Sequence, residues 1–299
     1  MSRANHPASC GSPSFSGIRD TGLRSDPRGA VLLRRPARRL AGSVCAMSSG
    51  SEWRARGSAW LRAHPVARVT GPGIVLIGFG LAVFFGLLDA VQERDDLSAA
   101  DLPVLEWLVD RRGPVATRVL EAITFVSGPM VLPILVAVAC GAWAIVRREW
   151  WRPLLLVGAM IGSTLISLAV KGLVNRPRPP EETMHLPGSE STASFPSGHT
   201  IGAATLLLVA AYLTTSRRHS RGRVVGWAVG TFVGVVLVAL SRLYLGYHFL
   251  TDVLAAMALA VAILGAVTIV DRVHLWHHPQ AGAPPGQPAT SERGVPGPG

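Results

Sequence analysis

Six stretches of this chain carry almost no charge, and each is close to the length that crosses a bilayer. They fall at about 71–91, 129–146, 153–174, 198–215, 223–241 and 250–270. A helix rises about 1.5 Å per residue, so ~20 mostly apolar residues span the hydrocarbon layer. The pattern changes between 92 and 128. In LPVLEWLVDRRGPVATRVLEAITFV the apolar residues return near helical spacing with charges between them, which predicts one or two helices lying at the interface. The expected class is all-α: a polytopic membrane protein, with a six-helix transmembrane bundle and short interfacial helices.

The two ends lack this pattern. Residues 1–66 are rich in Arg, Ser, Gly and Pro with no sustained apolar period, and are expected to be a disordered basic region. No apolar segment followed by a cleavage site marks a signal peptide. Met47 opens MSSGSEWRARG and reads as the true start, with 1–46 untranslated. The Pro/Gly-rich 273–299 is expected to be a disordered tail. Residues 67–272 are then one six-span domain.

Charge adds an orientation. The 29 Lys and Arg residues outnumber the 18 Asp and Glu, for a net charge of +11. The cations form no single stripe interleaved with aromatics, so nucleic acid is not the expected partner. They lie instead in the N-terminal region and in short loops. RREWWR follows the second span and SRRHSRGR the fourth, while Arg54, Arg56, Arg62 and Arg68 precede the first. An excess of cations marks cytoplasmic loops. Both termini are therefore expected in the cytoplasm of a multi-pass cell-membrane protein, with 92–128, 175–197 and 242–249 outside. The three cysteines suggest no disulfide framework, since Cys10 and Cys45 fall in the polar N-terminal region and Cys140 inside an apolar run, where it reads as a packing residue. HLWHH at 274–278 reads as an interfacial end with an aromatic anchor. Nothing in the chain marks an oligomeric state.

The middle outward loop breaks the charge rule, with Lys171 at the end of the span before it and Arg176 and Arg178 within it. Lys171 is the only lysine in the chain. With Arg178 it suits a multiply charged anion, one side chain supplying a point charge and the other a planar fork. A second cluster is Ser194–Thr200, SFPSGHT. Ser197 is placed to cap a helix, which leaves the amides of Gly198 and His199 open to an anion. Gly198 lets the backbone approach, and His199 stands beside the anion as a proton donor. A third cluster runs from Ser241 and Arg242 to His248 and Asp252. The last two are spaced i and i+4, so the carboxylate can hold one imidazole nitrogen and leave the other free to attack.

Each cluster alone fits an ordinary role: a snorkelling cation, a helix cap, an interfacial histidine. Together they put two histidines, an aspartate and three cations at one membrane face, where ionisable groups are costly and usually functional. They point to a phosphate-like substrate. No acidic cluster is present to hold Mg²⁺, so neither metal nor cofactor is expected. Arg176 reads as facing headgroups or reaching the substrate. Glu181, Glu182, His185 and Glu190 read as solvated loop residues.

In these motifs the chain resembles the type-2 phosphatidic acid phosphatase family, the lipid phosphate phosphatases of the superfamily that includes the vanadium haloperoxidases. That family's signature is Lys-x6-Arg-Pro, then Pro-Ser-Gly-His, then Ser-Arg-x5-His-x3-Asp. Here it is met by Lys171, Arg178 and Pro179; by Pro196–His199; and by Ser241, Arg242, His248 and Asp252. The likeness covers about 70–270. It implies that His248 is a nucleophile forming a phosphohistidine, oriented by Asp252, with His199 as general acid. Lys171, Arg178 and Arg242 would hold phosphate oxygens, helped by Ser197 and the Gly198 amide. The expected substrate is a membrane lipid phosphate or diphosphate: phosphatidic acid, phosphatidylglycerol phosphate or undecaprenyl diphosphate. Two rivals are a phosphotransferase using the same phosphohistidine and an inert membrane protein that binds anionic lipid. A haloperoxidase fits less well, because six spans suit a lipid.

Overall fold

The computed structural model describes residues 63–93, 96–188, 190–217 and 220–278. The expectations for Met47 and for most of 1–66 and of 273–299 fall outside these residues. Within them the first helix begins at Pro65 and the last runs to His277.

All regular structure among the described residues is helical. In chain order the helices are α1 Pro65–Glu93, α2 Asp96–Ala99, α3 Asp101–Val109, α4 Pro114–Val126, α5 Val131–Arg147, α6 Trp151–Val174, α7 Gly198–Thr215, α8 Arg221–Tyr244 and α9 Leu250–His277, with one 3₁₀ turn at Glu181–Thr183. Five of them, α1, α6, α7, α8 and α9, are each long and apolar enough to cross a membrane. The bent pair α4 and α5 brings the number to six if it counts as one span.

That pair covers the second expected span and part of the stretch read as interfacial. Within it α4 packs along α8 and continues into α5 across a 56° bend. The bend falls at Ser127–Met130. Ser127 turns its hydroxyl back to the Ile123 carbonyl at 2.9 Å, and Pro129 brings no amide to continue the ladder.

The bundle is built around α9. In its most apolar window 61% of residues are buried, against 22–39% in the other four long helices. Its small residues explain this position. A Cβ added at Gly80 of α1 would lie 2.6 Å from the Ala258 carbonyl, and one at Gly265 would lie 2.5 Å from the Gly73 carbonyl. The two backbones touch, as small residues allow between helices in lipid. α7 packs on the same central helix, with α6 and α8 beside it. The far end from the candidate site is pinned by Asp271, fully buried, which accepts hydrogen bonds from Trp151 Nε1 at 3.2 Å and the Tyr212 hydroxyl at 3.0 Å. His274 stacks on Trp151 there, with ring centroids 3.7 Å apart. Cys140 is a buried free thiol in α5.

Candidate active site

Four helix ends meet at one end of the bundle: the last turns of α6 and α8 and the first turns of α7 and α9. The α6 helix stops at Asn175, which takes a left-handed conformation at φ 45° and donates its amide to the Lys171 carbonyl at 3.0 Å. Asparagine tolerates that conformation better than most residues. Pro177, Pro179 and Pro180 then forbid a helix. At the end of α8 the chain turns through Gly246, whose φ is +78°. A Cβ there would lie 2.1 Å from the Thr183 carbonyl, so only glycine fits. This turn returns the chain so that His248 stands just ahead of α9.

His248 is 1% exposed and Asp252 is 0% exposed. His248 Nδ1 lies 3.3 Å from Asp252 Oδ2, the contact that the i, i+4 spacing predicts. The same oxygen accepts the Phe249 amide at 2.9 Å and the Ser194 hydroxyl. A carboxylate on Nδ1 fixes the proton there and leaves Nε2 as the basic nitrogen. Burial pushes the His248 imidazole down to about 4, against the upward pull of the Asp252 hydrogen bond. That direction favours the neutral ring, the form of an imidazole that can attack.

Three cations gather above this pair. Arg178 is strapped to its own loop and to the Gly246 turn: Nε donates to the Thr192 carbonyl at 2.6 Å and Nη1 to the Tyr247 carbonyl at 2.8 Å. Arg242 is 1% exposed, lies over the Tyr247 ring at 4.5 Å and donates Nη1 to the Thr124 hydroxyl at 2.7 Å. Its Nε is buried with no hydrogen-bond partner. A buried donor left unpaired is costly, so this N–H is suited to an incoming anion. Lys171 donates Nζ to the Ala193 carbonyl and lies within electrostatic reach of Arg178, Asp252, Glu190 and Arg242.

The α7 N-terminus closes the site. Ser197 is the cap: its oxygen accepts the Thr200 amide at 3.5 Å and lies 3.0 Å from the Thr200 hydroxyl, and its own amide reaches the Asp252 carbonyl at 3.2 Å. The hydroxyl thus turns into the helix. Gly198 is exposed, and a Cβ on it would meet nothing within 4 Å, so the space in front of it is open. His199 lies within electrostatic reach of Arg242, Glu190, His248 and Arg178. A Cβ at Gly128, in the α4–α5 bend, would approach His199 Nε2 to 3.5 Å.

Several residues here escape sequence reasoning. Glu190 is not a solvated loop residue. Its Oε2 accepts from Arg178 Nη2 at 3.0 Å and its Oε1 from Arg242 Nη2. Burial works to raise this carboxyl, but Arg242 and Arg178 outweigh it and hold it below the usual range. Arg176 meets neither headgroups nor the cationic pocket. It bridges Asp252 and Asp101 of α3, each at 2.6 Å. Thr124 is a further partner that no local pattern marks, and Ser194 opens the second cluster but has no role in the sequence reading. Of the other loop residues, Glu181 and Glu182 are exposed, while His185 pairs with Glu121 at 2.5 Å.

A cationic pocket above a buried His–Asp pair can bind a phosphoryl group and attack it. Comparison with known proteins gives the family. Residues 152–276 match the PAP2 superfamily. The chain is 30% identical over 185 residues to phosphatidylglycerophosphatase B of Bacillus subtilis, covering 60% of this chain and 88% of that protein. It is 37% identical over 182 residues to decaprenylphosphoryl-5-phosphoribose phosphatase of Mycobacterium tuberculosis, covering 58% and 89%. Among solved structures it resembles the transmembrane PAP2-type phosphatidylglycerolphosphate phosphatase from Bacillus subtilis. There the TM-score is 0.58 at 27% identity, over 64% of this chain and 96% of the other.

Proposed function

The chain belongs to the PAP2 superfamily, and from that premise we propose that it is a metal-independent phosphatase of a membrane lipid phosphate or diphosphate, working through a phosphohistidine. One observation carries the reading: the buried His248–Asp252 pair lies beneath Arg178 and Arg242, whose guanidinium groups share one carboxylate, that of Glu190. A carboxylate between two guanidinium groups occupies the place and the charge of a phosphate.

The reaction follows from these positions. His248 Nε2 attacks phosphorus while its Nδ1–H stays on Asp252. The P–N bond forms, the P–O bond to the lipid breaks, and the leaving oxygen takes a proton from His199. A water then attacks phosphorus, gives a proton to His199, and the P–N bond breaks. Splitting one displacement into two is covalent catalysis. Arg178, Arg242 and Lys171 stabilise charge on the transferring group, with the Gly198 amide beside them. So cationic a pocket needs no metal ion for that purpose and repels one. The site lies at helix ends, where a headgroup sits while its acyl or prenyl chain stays in the bilayer. The names of the relatives support the substrate class: a diacyl phosphate or a polyprenyl phosphate. The arginine-rich loops support a site on the extracytoplasmic face, with both termini in the cytoplasm.

The test is phosphate release by purified protein from diacyl and polyprenyl phosphates and diphosphates with EDTA present, and by sealed right-side-out vesicles. Release that persists in EDTA and stops with vanadate is expected. Loss of release in EDTA would sink the metal-free mechanism, and release only from lysed vesicles would reverse the orientation. No release from any substrate would shift the reading to phosphotransfer or to an inert lipid-binding protein.

Glu190 adds a prediction. Substrate must displace its carboxylate from the two arginines, so Glu190→Gln should lower KM and tighten vanadate inhibition by up to about tenfold with kcat little changed. A raised KM would mean instead that Glu190 holds the arginines in place for the phosphate.

A further inference from the structure

We infer that Arg176 and Asp101 are positioning residues for His248, acting through Asp252 and not on the phosphate. The inference rests on the reaction proposed above.

The geometry begins at Asp252. One of its oxygens, Oδ2, takes the His248 imidazole, the Phe249 amide and the Ser194 hydroxyl. The other, Oδ1, takes Arg176 Nη1 at 2.6 Å. A carboxylate held at one oxygen can still swing. Held at both, its plane is fixed, and so is the direction in which it meets Nδ1. Arg176 is fixed in turn. Its Nη2 meets Asp101 Oδ2 at 2.6 Å, its Nη1 also meets the Thr251 hydroxyl at 2.7 Å, and its guanidinium lies 4.4 Å over the Phe249 ring. Asp101 accepts the Thr251 amide at 2.9 Å and hydroxyl at 2.7 Å, which ties α3 to the first turn of α9. The side chains of Arg176, Asp101 and Asp252 are only 13%, 3% and 0% exposed.

Charge explains why Arg176 does not serve the substrate. Its fork is spent on two buried carboxylates, whereas Arg178 and Arg242 share one. Two buried carboxylates this close to a single α9 turn need a cation between them. Their balance also matters to the chemistry. When Nε2 bonds to phosphorus the imidazole becomes positive, and Asp252 must meet that charge. Arg176 draws part of the Asp252 charge to itself, and Asp101 relieves it of part of that demand. The two residues should therefore push His248 in opposite directions. The other charged or titratable groups facing the ring are Arg242 from α8, Arg178 from the loop and His199 from α7, and they are unchanged in either variant.

The experiment compares Arg176→Gln, Arg176→Lys and Asp101→Asn with wild type and with His248→Ala on one lipid phosphate. Both Arg176→Gln and Asp101→Asn should lower kcat about 10- to 100-fold, as loss of an orienting partner does, with KM little changed. Arg176→Lys should recover part of the loss. The acid limb of kcat/KM reports ionisation of the free enzyme. It should move up in Arg176→Gln and down in Asp101→Asn. A packing role would instead move both limbs alike, or neither, with a fall in melting temperature, and that result overturns the inference. So does a raised KM at unchanged kcat, which would place Arg176 on the substrate. Should Arg176→Gln fail to fold, the lysine and asparagine variants carry the same test. Wild-type turnover that needs His248 but ignores these variants removes only this inference, while absent wild-type turnover removes the proposed reaction and this inference with it.

Discussion

Replacing His248 by alanine should abolish turnover, by about four orders of magnitude or more, while leaving the fold in place. The size follows from its role. Without Nε2 there is no attacking atom, and only binding and charge stabilisation remain. Survival of the fold follows from what stays behind. Asp252 would lose the imidazole but keep Arg176, Ser194 and the Phe249 amide. The carboxylate is therefore not left buried and unpaired, the usual source of large destabilisation. Two measurements check this: phosphate release, and trapping of radiolabelled phosphoprotein after a rapid acid-free quench. Label on the wild type that is absent from His248→Ala, with similar melting temperatures, is the expected pair. Turnover that survives the substitution would show that another residue attacks.

Arg242→Lys should lower kcat by about 10²- to 10³-fold, the range for removal of one preorganised donor to a developing anion. Lysine keeps the charge, so the loss measures geometry. The guanidinium is fixed by the Thr124 hydroxyl on one side and by the Tyr247 ring beneath it, with Nε buried and unpartnered. An ammonium cannot offer two N–H groups in one plane, and its shorter reach would leave Thr124 without its donor. Because the interaction strengthens as charge builds on the phosphoryl oxygens, kcat should suffer more than KM. A rise in KM alone would show that Arg242 binds the ground state and transition state equally.

Much of this protein is legible without coordinates, and the reason is locality. Apolar length depends on neighbours in the chain, and the bilayer demands one length, so the long helices fall where hydropathy puts them. The His248–Asp252 contact needs only one helical turn, and the Ser197 cap only a proline followed by an apolar run. The two arginines and the lysine are visible because they stand where topology would put no cations. The bend between α4 and α5 was less visible. Its signal is one Ser-Gly-Pro stretch, which reads equally well as a loop before a span.

What sequence could not show is how the charges pair. Arg176 stands two residues from Arg178, in the same Arg-Pro repeat, yet one reaches 75 residues back to Asp101 while the other is held with Arg242 by Glu190. Thr124 supports Arg242 from 118 residues away. Sequence alone determined the membrane class, the long helices and the family motifs, because each depends on a pattern within a few turns. Tertiary structure decided which carboxylate occupies the pocket and which arginine lies behind the His248–Asp252 pair. Those pairings are set by which helix ends adjoin, and a buried charge takes its partner from whatever the packing brings near.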